Sequence, residues 1–192
     1  MDDYSVVGKR IPHRDAVEKV KGSAVYASDI KLSGLLHGKI LRSPVPHARI
    51  RNVDISKAAR LKGVKAILTA KDVPLIKYSI SPTWADKLIL ADKKVRYIGD
   101  EIAAVAAVDE ELAEEALELI KVDWEELPAV FDPNEAVQPG APVLHEDAEN
   151  NISKTLSMEC GSVEKGFAEA DLIMEDTFQT QAQSHCSLET HC

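Results

Sequence analysis

The chain has 192 residues, 45% hydrophobic and 29% charged, which is the balance of a globular protein rather than a disordered one. Lys plus Arg number 23 against 32 Asp plus Glu, a net charge of -9 with no basic stripe, so nucleic acid is excluded as an expected partner. Three late cysteines make no disulfide framework, the acidic start carries no secretory leader pattern, and the longest apolar run, Ile102 to Val108, is far short of the roughly 20 residues of a membrane helix; a cytoplasmic chain is expected.

Ser5 to Arg14 is polar and irregular. Leu35 to Arg42 is apolar at its centre and reads as a strand, stopped by Pro44 and Pro46, neither of which can donate to a ladder. Arg51 to Ile55 alternates, with Val53 and Ile55 on one face and Asn52 and Asp54 on the other. Val64 to Thr69 is a further short strand behind a turn at Gly63.

The middle of the chain carries the clearest pattern. Ile102 to Val108 predicts a strand buried on both faces. Asp109 is placed to cap a helix in which Leu112, Ala113, Ala116, Leu117 and Ile120 share one side. Glu110, Glu111, Glu114, Glu115 and Glu118 cover the other side, and this acidic run reads as a solvated face rather than a cation site. Val122 and Trp124 then alternate with charges in a strand, and the strand–helix–strand unit is expected to lay its helix on one face of a sheet.

Pro133, Pro139-Gly140, Pro142 and Asn150-Asn151 mark Phe131 to Asn151 as a connector, and a domain boundary is placed near residue 150. Beyond it, Thr155 to Cys160 is expected as a strand. Ser162 is expected to cap a short helix with Val163, Phe167 and Ala170 on one side. Leu172, Met174 and Phe178 are expected on the face of a strand running towards Gln181. This second block is too small to close a core. Its lone strand would offer an unpaired edge, which predicts disorder after about residue 150 or pairing with another copy.

Chemistry-bearing residues are sparse. The Gly34 to Lys39 stretch is not a phosphate loop, because its glycines are too close and Ile40 stands where Ser or Thr should bind magnesium. His13, His37, His47, His145, His185 and His191 have no carboxylate or nucleophile paired with them in sequence, and ordinary surface or hydrogen-bonded roles are expected. His185-Cys186 and His191-Cys192 supply the residue types of a zinc site, but adjacent residues of a strand point to opposite faces, so no site is assigned. In Ser43 to Ile50 the prolines fix an extended turn with His47 and Arg49 at its exit. Two satisfied side chains of a structural turn are expected, against the alternative of contact with a partner domain.

That segment also resembles a hallmark of the xanthine dehydrogenase/aldehyde oxidase family, in which a Ser-Pro pair precedes His-Ala-Arg-Ile. The stretches Val7 to Arg10 with Arg14-Asp15, Lys19 to Ile30, Leu36 to Arg42, Gly63 to Pro74, Val95 to Val105 and Gly161 to Phe167 follow the family in order, the last with Ser162 where Asp is usual. Leu188 to Cys192 is most similar to xanthine dehydrogenases.

The resemblance implies an α+β fold class: an N-terminal segment (1–19), an α/β-hammerhead domain (20–150) and the first elements of a molybdopterin-binding domain (151–192). It implies that the complete enzyme hydroxylates a purine or aldehyde carbon with oxygen from water. Its cofactor would be molybdenum-molybdopterin, with iron–sulfur clusters and FAD on partner subunits. The alternatives are an aldehyde oxidoreductase, carbon monoxide dehydrogenase or hydroxybenzoyl-CoA reductase type of large subunit, or a free-standing hammerhead binding module. The family's cofactor loop, its molybdenum-contacting glutamine and its glutamate base are expected beyond Cys192. No catalytic, cofactor-binding or metal-ligating residue is therefore assigned here. The expected partners are the rest of the large subunit, the iron–sulfur and FAD subunits, and a second copy through exposed edge strands; neither nucleic acid nor a membrane is expected.

Overall fold

The computed structural model describes residues 4–79, 85–187 and 189. The regular elements are α1 (Ala16–Lys21), β1 (His37–Arg42), β2 (Ala48–Asp54), β3 (Val64–Thr69), β4 (Lys94–Val95), β5 (Glu101–Ala107), α2 (Glu110–Leu119), β6 (Lys121–Glu126), α3 (Pro133–Ala136) and α4 (Val163–Glu169). They fall into two units, one of Gly34–Gly161 and one of Met1–Ser33 with Ser162–Cys192. Among the described residues no helix is long and apolar enough to cross a membrane.

In the first unit two antiparallel three-stranded sheets form, in the orders β1-β5-β3 and β4-β2-β6. β5 takes the centre of its sheet with Ala103, Val105 and Ala107 buried on one face; on the other face only Ile102 is buried while Ala104 and Ala106 are half-buried, and Val108 is exposed, so the expected burial on both faces is only partial. Helix α2 packs across β1, β5 and β3. Ala103, Ala113 and Ala116 are fully buried, and residues this small let the helix approach the strands closely. Ala103 and Ala116 form one core cluster with Ala58, Val105 and Ile120. A second cluster gathers Ala48, Ala91, Val95 and Ile102, and Leu41, Val53 and Val122 pack against both. The β1–β5 register slips between Leu41 and Arg42, so Ile102 is the extra residue of a bulge. Ile102 thereby joins the second cluster while its neighbours Ala103 and Val105 face the first.

Helix α2 begins where a cap exists. Asp109 is extended, and its carboxylate accepts the Leu112 N–H at 2.8 Å. Gly63, at φ +110°, makes the turn into β3, and its carbonyl accepts the Val108 N–H at 3.1 Å. The helix lies on a sheet as expected, but β6 does not return to the sheet of β5; it pairs with β2 in the other sheet. The two-residue strand β4 carries no sequence signal, because a pair as short as Lys94-Val95 shows no period. β2 is also longer than Arg51 to Ile55, since the ladder begins directly after the turn at Ala48.

The expected connector is anchored rather than open. Asn151 accepts the Leu144 N–H at 2.9 Å and donates to the carbonyls of Ala136 at 2.8 Å and Pro142 at 3.0 Å. No strand forms over Thr155 to Cys160 or from Leu172 towards Gln181, contrary to the alternation there. A strand needs a neighbour to take its N–H and C=O groups, and among the described residues none stands beside either segment.

In the second unit, α1 ends at Gly22 in the left-handed region, a conformation that suits glycine, and buries no residue. α4 forms where expected, with the Ser162 hydroxyl accepting the Lys165 N–H at 3.2 Å. Its apolar side and the segment behind it remain open: Phe167, Leu172, Met174 and Phe178 are all exposed.

Candidate functional site

The Ser43 to Arg49 turn of the first unit is held by several hydrogen bonds. Buried Ser43 donates its N–H to the Asp100 carbonyl and accepts the Gly99 N–H at its own carbonyl, both at 2.8 Å. Its hydroxyl donates to the Val45 carbonyl at 2.8 Å and accepts the Val45 N–H at 3.2 Å. The proline turn is thus locked to the Gly99-Asp100 turn, where Gly99 sits at φ +98°. Arg49, at the exit, pairs with Glu125 across the β2–β6 ladder at 3.1 Å, and Arg51 meets the same carboxylate at 2.8 Å.

His47 behaves differently from the expectation of a fully satisfied side chain. It is 3% exposed, and its Nδ1 lies 2.6 Å from the Pro128 carbonyl. A carbonyl only accepts, so Nδ1 carries the proton and Nε2 of the neutral ring is a bare acceptor. Nε2 is buried and has no hydrogen-bond partner among the described residues.

A second constellation clamps the connector to β4. The Lys94 ammonium, buried to 9% side-chain exposure, donates to Glu146 at 2.6 Å and to the Val143 carbonyl at 3.0 Å. Arg96 donates to the Leu144 carbonyl at 2.7 Å and to Glu146 at 3.4 Å. The Lys94 hydrogen bond holds the Glu146 carboxyl at about 2, against an ordinary value of 4.5. Sequence reading missed this clamp. No local pattern joins Lys94 to an acid 52 residues further along the chain.

Beside the clamp, Asp86, Lys87, Arg96, Tyr97, Asp100 and His145 line a cavity of about 110 Å³. Burial pushes the Asp100 carboxyl up and the His145 imidazole down, because it disfavours the charged form of each. Lys87 lies 4.9 Å from the Tyr97 ring centre and donates to its hydroxyl at 3.2 Å. The cavity mixes charges of both signs, and among the described residues no Ser, Thr or Cys lines it.

The other sequence candidates stay apart. His13 and His185 are exposed and His37 is half-buried. Cys160 and Cys186 are free and exposed, and Cys186 sits at φ +43° in no strand. His191 and Cys192 lie outside the described residues. On α2, Glu110 and Glu114 share the Lys39 ammonium at 2.6 and 2.8 Å, so part of the acidic face is paired rather than merely solvated.

These two sheets with their packed helix match known proteins. A family model described as aldehyde oxidase and xanthine dehydrogenase, a/b hammerhead domain, covers residues 21–128, more than half of the chain. The chain belongs to this family. A second model, described as molybdopterin cofactor-binding domain, covers residues 144–192. The chain is 44% identical over 177 residues to a probable xanthine dehydrogenase subunit of Bacillus subtilis, covering 92% of this chain and 23% of that protein. It is 38% identical over 187 residues to the nicotinate dehydrogenase large molybdopterin subunit of Eubacterium barkeri, covering 97% of this chain and 43% of that one. The solved aldehyde oxidoreductase of Desulfovibrio gigas superposes with a TM-score of 0.70 at 34% identity, over 84% of this chain and 19% of that one. The chain therefore spans less than half the length of these relatives. Its fold class is α+β, a hammerhead followed by the start of a molybdopterin-binding domain.

Within the second match, the groove on α4 does not fit the molybdopterin that the match implies. The groove on α4 is lined by Val163, Phe167, Ala170, Leu172 and Met174 with no polar side chain among the described residues. Nor do any three His, Cys, Asp or Glu side chains among the described residues stand together as metal ligands. A pterin bearing a phosphate and a metal needs many directed donors, which this groove lacks.

Proposed function

We propose that this chain is the N-terminal portion of the large molybdenum-binding subunit of a xanthine dehydrogenase-type hydroxylase, and that this portion has a structural role. The whole enzyme would hydroxylate a purine or a related heterocycle with oxygen drawn from water. The observation that carries this reading is the 44% identity running over 92% of this chain but only 23% of a probable xanthine dehydrogenase subunit. The missing length is where the molybdopterin shell would lie, with iron–sulfur and FAD subunits taking the electrons. The site geometry supports the structural role, since the turn, the clamp and the sheets are fastened to one another.

In this reading the hammerhead is residues 20–150, and the exposed apolar side of α4 is covered by the remainder of the same subunit. Pairing with a second copy is the lesser possibility. It would use the open edges of β1, β3, β4 or β6, because no strand forms in the described part of the tail.

Two measurements test the proposal. An immunoblot of the source cells with antibody against this chain is expected to show a band several times its size; a band at its own size would make it a free-standing module. The purified chain is expected to hold no molybdenum by elemental analysis and to oxidise no xanthine. Activity above background would overturn the structural role.

A further inference from the structure

Ile102 to Val108 is apolar at every position, the composition of a strand covered on both faces, yet the fold covers one face of β5 more fully than the other. On the covered face Ala103 and Val105 share a core cluster with Ala116 of α2, and Ile67 of β3 packs against it. Lys39 of β1 reaches Glu110 and Glu114 of α2 on the same side. Side chains alternate across a strand, so Gly38 and Ile40, Ala104 and Ala106, and Ala66 and Leu68 occupy the opposite face. The ladders set them in two rows, Ile40–Ala104–Leu68 and Gly38–Ala106–Ala66. None of the six bears a polar side chain. Ile102 closes one end of this face within the second core cluster. Past it the face lies open: Ile40 is 44% exposed and Leu68 43%, and Gly38 and Ala66 are exposed beside half-buried Ala104 and Ala106.

The relief of this face selects its occupant. Ile40 and Leu68 rise on the outer strands over a floor of Ala104 and Ala106, which makes a trough along β5. Neighbouring strands lie about 4.8 Å apart, so the two walls stand roughly 10 Å apart. An α-helix with its side chains is about 10 Å across. On the other face α2 already follows this plan, packed over the small residues of the same strand. A patch without charge belongs to a permanent contact rather than to one that exchanges. Separate chains that pair stably bring about 20 to 30 residues each, which six do not supply. A helix tethered in the same polypeptide needs no such area, since the chain itself keeps it at high local concentration. The relatives have the length for it, because this chain spans only 23% of the Bacillus subtilis protein and 43% of the Eubacterium barkeri one.

We infer that an amphipathic helix from the part of the large subunit beyond residue 192 lies along β5 in this trough, between Ile40 and Leu68, and completes a helix–sheet–helix sandwich. The inference rests on the reading of the chain as the N-terminal portion of that subunit. The helix meets Ala104 and Ala106 with an apolar stripe at three- and four-residue spacing.

The test compares the complete subunit, expressed in the source cells, with this 192-residue chain. Leu68→Cys is labelled with N-ethylmaleimide, and the rate is read by mass spectrometry of the peptide that carries it. The label is expected to attach about 100-fold more slowly in the complete subunit, because a covered thiol reacts only when its cover opens. Equal rates would overturn the inference. Slowing in the short chain that grows with its concentration would overturn it too, by making the occupant a second copy. A photo-crosslinking benzoylphenylalanine substituted for Ile40 in the complete subunit identifies the neighbour. Attachment is expected beyond residue 192, at positions three or four apart. Attachment within residues 1–192, or at every second position as in a strand, would sink the inference. An immunoblot band at the chain's own size overturns the reading of a larger subunit and this inference with it; a larger band with equal labelling rates overturns the inference alone.

Discussion

Asp109 shows how much a single residue can announce. Its cap on α2 was legible because both partners, the carboxylate and the Leu112 N–H, lie within one turn. Asp109→Ala is expected to destabilise the chain by about 1 kcal/mol in urea unfolding. Gly63 combines two constraints, a φ of +110° and a packed neighbourhood. A Cβ there would stand 2.6 Å from Leu112 Cδ2 and 3.0 Å from Val108 Cγ2. Gly63→Ala is therefore expected to cost about 2 kcal/mol or more in the same assay. His47 was half legible. Its place at the exit of a proline turn was read from the sequence, but its burial and its bare Nε2 depend on Pro128, which no local pattern connects to it.

Elements were legible where one period ran long enough and found a partner. β5 and α2 met both conditions. The tail met only the first, and Leu172, Met174 and Phe178 alternate without any described strand to pair with. The assignment of β6 to the second sheet was hidden because periodicity reports which face is buried and not which strand lies alongside. The clamp of the 143–146 segment onto β4 has a pH signature. The Glu146 carboxyl is depressed to about 2 from 4.5, so its contribution is fully present above pH 4.5 and is lost as pH falls towards 2. Glu146→Gln is expected to unfold more easily than the parent at neutral pH, with the difference shrinking as pH falls from 4.5 towards 2 and vanishing only below that. A constant difference across that range, measured by urea unfolding, would show that the carboxylate charge is not what holds the clamp.

At the scale of the whole molecule, the Gly34–Gly161 unit holds both core clusters and both sheets, while residues 162–187 are exposed throughout. Limited proteolysis is expected to cut first within 162–187 and to leave a resistant piece near 34–161, as mass spectrometry of the fragments would show. First cuts inside β5 or α2 would contradict this. The central position of β5 also bears on how the chain is made. β1 and β3 each pair with β5, not with each other, and β5 is the last of the three to be synthesised. At ribosomal speeds of about 5 to 20 residues per second, β1 waits on the order of 3 to 13 seconds for the strand that completes it. During that interval the half-built sheet presents unpaired edges to its surroundings, and a newborn chain paused before residue 101 is the form most in need of a chaperone.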